Sequence, residues 1–139
     1  MKFTGKVLLT DDEAHIRKFL SLVLKRLGTP LILEAANGEE AVRLYQQHKP
    51  DLVLMDVNMP IMDGLQALTL IKKQDPEALV IMLTSLTNRQ TVEQSASLGA
   101  LDYLRKDLPR DEMITHLTQI INDCFGPEDS TAAKETAAP

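Results

Sequence analysis

The sequence predicts an α/β fold, a doubly wound parallel sheet with helices on both faces. Five short apolar runs carry the prediction: KVLLT (6–10), LILEA (31–35), LVLM (52–55), LVIML (79–83) and LDYL (101–104). Four of them are continuous or nearly so, as strands buried on both faces require. Each gap between runs has room for one helix. Strands alternating with helices build a parallel sheet covered on both sides.

The elements follow in order. After the first run, Ile16, Phe19, Leu20, Val23, Leu24 and Leu27 recur at offsets of three and four. They make one helical stripe between Asp12 and Leu27, with Gly28 as its stop. Asn37 reads as the N-cap of a second helix, with Glu40 three residues later as its capping partner. A third helix is expected from about Gly64 to Lys73, ending ahead of Pro76. A fourth is expected from about Asn88 to Leu98, stopping at Gly99. Its stripe is thin, only Val92, Ala96 and Leu98, which predicts weak anchoring. The fifth begins with Pro109 in its first turn and carries Met113, Ile114, Leu117, Ile120, Ile121 and Cys124. From residue 126 the chain reads GPEDSTAAKETAAP, without a large apolar side chain. One folded domain over 1–125 and a disordered tail over 126–139 are expected.

Composition excludes several classes of function. The chain has 139 residues, 44% hydrophobic and 25% charged, with a net charge of −5. That size supports one core, not two. There is no apolar run of about 18 residues to span a membrane. The N-terminus meets acids too soon to be a secretory signal. Lys and Arg do not cluster, and the chain has only two Tyr and three Phe, so direct nucleic-acid binding is not expected. Cys124 is the single cysteine. A reducing cytoplasm is the simplest setting for such a chain.

The acids point to chemistry. Asp11 and Asp12 fall at the end of the first strand and Asp56 at the end of the third. Thr84 and Ser85 end the fourth, and Lys106 ends the fifth. Ligands of open parallel sheets bind beyond the carboxyl ends of the strands, so all these residues share one edge. Three carboxylates in one cleft repel and need a cation. Oxygen ligands without nearby His or Cys suit a hard ion such as Mg²⁺. A metal, an ammonium and a hydroxyl together suit a phosphoryl group, and a carboxylate attacking phosphorus gives an acyl phosphate. Each feature also has a plainer reading. Asp11-Asp12 could be only an N-cap, Asp56 a turn acid, Thr84 a strand former, Lys106 a surface lysine and Tyr103 core packing. His15, His48 and His116 share no ligand spacing. Met55, Met59 and Met62 read as packing around the site.

The acidic pair, the D-x-x-M-P-x-x-D-G stretch at 56–64, the Thr after strand 4 and the Lys after strand 5 occur in order. On these motifs the chain resembles a response-regulator receiver domain of two-component signalling, close to the single-domain chemotaxis regulators. The resemblance covers roughly residues 5–125. It implies a sheet of order 2-1-3-4-5. It implies phosphorylation at Asp56, direct Mg²⁺ binding by Asp12, mainly water-mediated binding by Asp11, and a metal ligand in the Asn58 backbone carbonyl. Thr84 and Lys106 would contact the phosphoryl group, and Tyr103 would be the switch aromatic that turns inward with Thr84. The implied function is a stand-alone switch. A sensor histidine kinase or phosphotransfer protein would load it, and the face of helix 4, strand 5 and helix 5 would control a protein target. Its only catalysis would be its own phosphorylation and dephosphorylation.

The sequence departs from the family at one point. Lys106 is followed by Asp107, where the family usually has Pro after a cis bond. A cis non-proline bond costs about 3 kcal/mol, so the loop bears that cost or keeps a trans bond. Leu86 and Asn58 should flank the path of the hydrolytic water. Apolar Leu86 cannot orient that water, which predicts slow to moderate self-dephosphorylation. Three other readings compete. A haloacid-dehalogenase-type phosphohydrolase needs a second Asp where Asn58 stands. A receiver could be excised from a larger transcriptional regulator or hybrid kinase. A degenerate receiver would bind partners without phosphate.

Overall fold

A computed structural model describes residues 3–84 and 89–126. The expectations for Ser85, Leu86, the Asn88 helix start and most of the tail lie outside them. Strands β1 (Lys6–Thr10), β2 (Leu31–Ala35), β3 (Leu52–Asp56), β4 (Val80–Thr84) and β5 (Asp102–Arg105) alternate with five helices. These are α1 (Ala14–Lys25), α2 (Gly38–His48), α3 (Gly64–Gln74), α4 (Arg89–Ser97) and α5 (Arg110–Phe125). The five strands form one parallel sheet in the order β2-β1-β3-β4-β5, the expected topology.

Alternation along the strands divides the apolar side chains between two cores. Val7, Leu9, Leu52, Leu54, Ile81 and Leu83 face α1 and α5, where they meet Leu20, Leu24, Met113 and Leu117. Leu8, Val53, Met55, Val80 and Met82 face the other way, against Ala41 and Tyr45 of α2 and Ala67, Leu68 and Ile71 of α3. β3 and β4 are buried along their whole length. That is why their sequences run apolar without a break.

The helix ends follow local chemistry. Asn37 caps α2 by accepting the Glu40 N–H at 2.8 Å. Glu40 turns back onto the Ala36 N–H instead, at 3.2 Å. Asp63 and Gln66 form a reciprocal capping box at the start of α3. Pro109 sits one position before the first residue of α5. α4 buries only Ser95 among its residues, as its thin stripe predicted. The Lys106–Asp107 bond is trans, since there is no cis peptide among the described residues. Cys124 is half-buried. The three histidines are exposed on their helices, and Met55, Met59 and Met62 pack into the second core.

Both described chain ends meet at the edge where the strands begin. Phe3 bridges to Gly28 beside β1. Its ring lies against that of Phe125 at the end of α5, with centroids 5.3 Å apart.

Candidate acidic site at the carboxyl edge of the sheet

The order of strands sets the site. β1 and β3 are neighbours, so the residues that end them come together. Asp56 is the last residue of β3 and is 5% exposed. Asp11 follows β1 and is fully buried. Its N–H bonds the Ala35 carbonyl at 3.1 Å, which continues the β1–β2 ladder one residue past the strand. Its Oδ1 accepts the Glu13 N–H at 2.9 Å. Asp12, next along the loop, is exposed. Asp11, Asp12 and Asp56 each offer one carboxylate oxygen, and these oxygens lie within 4.8 Å of one another.

Lys106 enters from the end of β5. Its N–H bonds the Thr84 carbonyl at 2.7 Å, which fixes the root of the side chain. Its Nζ lies 2.7 Å from Asp11 Oδ2 and 3.2 Å from Asp56 Oδ2. The trans bond after Lys106 therefore does not keep the ammonium from the acids. A third carboxylate, Glu13, stands 3.9 Å from the same Nζ. Glu13 follows directly on the acidic pair in the run TDDE, and no motif singles it out.

Burial is the largest influence on Asp56, followed by the Asp11 carboxylate, and both favour the neutral acid. Lys106 works against them and Asp12 adds to them, and the net effect pushes the Asp56 carboxyl up to about 6. Burial alone would pull the Lys106 ammonium down. Asp11 and Asp56 together outweigh it, so Lys106 is held above its ordinary range.

The turn after β3 is tightly built. The Met62 N–H bonds the Pro60 carbonyl at 2.7 Å, closing a γ-turn on Ile61, whose φ is +70°. The Gly64 N–H then bonds the Val57 carbonyl at 2.8 Å. A methyl group on Gly64 would fall inside the van der Waals surface of the Asp56 carbonyl oxygen. Only glycine lets α3 start this close to the end of β3.

The remaining candidates lie around this group. Thr84 ends β4 and is 9% exposed. Asn58 is exposed in the turn that leaves β3. Tyr103 is half-buried, in register with Met82, so strand alternation puts it on the same side of the sheet as Thr84. It lines a cavity of about 240 Å³ with Val92, Ser95 and Ala96 of α4.

The sequence model of one family, the response regulator receiver domain, matches residues 7–118. The chain belongs to that family. Among relatives of this receiver, chemotaxis protein CheY of Bacillus subtilis is 35% identical over 117 residues, covering 84% of this chain and 98% of that protein. Transcriptional regulatory protein PdtaR of Mycobacterium tuberculosis is 40% identical over 109 residues, 78% of this chain but 53% of that protein. A chain of the CheX-CheY-BeF3-Mg²⁺ complex from Borrelia burgdorferi superposes with a TM-score of 0.78 at 34% identity, over 84% of this chain and 88% of that one. Receiver domains bind Mg²⁺ at an acidic pocket, and the donor set here fits that ion. Asp11, Asp12 and Asp56 offer carboxylate oxygens only, and one of the three acids is exposed where solvent waters could complete the shell.

Proposed function

We propose that this chain is a stand-alone response regulator that accepts a phosphoryl group on Asp56. The observation that carries the reading is the meeting of three carboxylates within 4.8 Å with one ammonium that reaches two of them. In this reading Asp12 and Asp56 hold Mg²⁺ directly, Asp11 acts mainly through water, and Asn58 gives its backbone carbonyl. When bound, the ion neutralises charge on the acids and on the incoming phosphoryl oxygens.

The chain's own residues do the rest. Above about pH 6, Asp56 is ionised and presents a lone pair to phosphorus. The new O–P bond forms as the P–N bond of a phosphohistidine breaks, and the leaving imidazole keeps the electron pair and takes a proton from solvent. Lys106 is already placed on Asp56 Oδ2 and turns its charge to the phosphoryl oxygens. Thr84 donates its hydroxyl to them. Tyr103 follows Thr84 inward, toward the side of the sheet it shares with α4. The face of α4, β5 and α5 thereby changes its affinity for a protein target. α4 suits this role because its packing against the domain is slight.

The donor is a sensor histidine kinase or a phosphotransfer protein, and the chain catalyses only its own phosphorylation and dephosphorylation. A cytoplasmic location accords with it. No helix among the described residues is long and apolar enough to cross a membrane. A second reading takes the chain as the receiver piece of a larger regulator. PdtaR supports it, because this chain spans only 53% of that relative's length.

The test is incubation with acetyl phosphate and Mg²⁺, followed by intact-mass spectrometry. One phosphoryl adduct that requires Mg²⁺ and disappears in Asp56→Asn is the expected result. An adduct of equal yield in Asp56→Asn overturns the assignment.

A further inference from the structure

A side chain of α1 holds the Asp11–Asp12 loop in place. We propose that Arg17 is a positioning residue for Asp12, the exposed acid of the site, and so sets the affinity of the folded protein for a divalent cation. The proposal rests on the Mg²⁺ reading above and extends it to a residue that touches neither the ion nor the phosphoryl group.

Three of the four polar groups of Asp11 are already engaged. Its N–H is held by Ala35, its Oδ1 by the Glu13 N–H and its Oδ2 by Lys106. The fourth is the backbone carbonyl. It accepts a hydrogen bond from Arg17 Nη1 at 2.6 Å. Arg17 lies on α1, and its side chain is 17% exposed. Its Nε donates to Glu34 Oε1 on β2 at 2.8 Å. The guanidinium therefore spans from the edge strand to the loop, with its rigid fork fixed at both ends.

The carbonyl it holds belongs to the Asp11–Asp12 peptide. A peptide unit is planar, so fixing the direction of that C=O also fixes the Asp12 nitrogen and Cα. Asp12 needs this help. Its side chain makes no hydrogen bond or ion pair among the described residues, unlike those of Asp11 and Asp56. Its carboxylate is thus aimed by its backbone, and that backbone is held by Arg17. Glu34 offsets the guanidinium charge, so the fork can stand near a cation site with less repulsion.

Charge and position predict opposite signs. If Arg17 acted through its charge alone, removing it would strengthen cation binding. If it positions Asp12, removing it weakens binding. The experiment measures Mg²⁺ affinity of the metal-free protein by amide chemical-shift titration, for wild type, Arg17→Ala and Arg17→Lys. Urea unfolding on the same samples shows that each is folded. The expected result is a loss of about tenfold or more in Arg17→Ala, the range seen when outer partners of metal ligands are removed. Arg17→Lys keeps the charge but cannot hold both acceptors in one plane, so it should lose affinity as well. It also keeps the test open if Arg17→Ala does not fold. Affinity equal to or above that of wild type in a folded variant overturns the proposal. If wild type itself shows no Mg²⁺ titration, the underlying metal reading fails instead, and the two failures are distinct.

Discussion

Ionised Asp56 should destabilise the metal-free domain, and Asp56→Asn should relieve it. The carboxyl is pushed up to about 6 from an ordinary value of 3.8. A carboxyl with a raised folded pKa binds its proton more tightly when folded than when unfolded. Its stability contribution is therefore greatest at acid pH, declines as pH rises from the unfolded value, and is fully lost above the folded one. A shift of roughly two units corresponds to a penalty of about 3 kcal/mol at about pH 7.5, falling to about 1 kcal/mol near pH 4.5. Asparagine mimics the neutral acid in shape and carries no charge, so this penalty should vanish in the variant. The value is an upper limit, because the amide must also satisfy its own donors in a buried site. The assay is urea unfolding of both proteins at several pH values in chelator and at constant ionic strength. Asp56→Asn should be the more stable protein at neutral pH, and the gap should narrow on acidification. Added Mg²⁺ should close it from the other side by stabilising the wild type more. Equal stability at neutral pH without metal, or a gap that does not change with pH, would refute the argument.

Two further outcomes follow from the turn after β3. Ile61 is a β-branched residue at φ +70°, and 75% exposed, so little packing is lost on replacing it. Ile61→Gly should relieve about 1–2 kcal/mol of left-handed strain against about 0.5–1 kcal/mol of added chain entropy, and a higher thermal midpoint would confirm it. A lower midpoint would mean the turn is not strained. Gly64→Ala should cost about 2–3 kcal/mol in urea unfolding, because its methyl must displace the Asp56 carbonyl. A neutral effect would show that α3 can back away from β3.

The strands were legible because burial on both faces writes continuous apolar runs. β1 and β2 fall on the expected residues, and the later three extend or shift by one toward their polar ends. Asp56, Thr84 and Arg105 are strand residues, since a ladder continues as long as a partner carbonyl is in reach. The gathering of Asp11, Asp56 and Lys106 was also legible, because a parallel sheet sends every strand end to one edge. The roles of Glu13 and Arg17 were not. Arg17 matters through Glu34, which comes opposite Leu9 only once β1 and β2 have paired, and no local pattern encodes that register. The α3 capping box is present in the sequence as Asp63 and Gln66, three residues apart at the start of the third helix.

The contact between Phe3 and Phe125 brings both described ends of the fold to the edge opposite the acids. Joining them through a short linker and reopening the chain elsewhere would leave the sheet order intact. Cargo fused before residue 3 or after residue 126 would project from the far side of the domain and leave the acidic edge open to a docking protein. The same geometry suits two uses of one domain, free in solution or carried as a module by a longer chain.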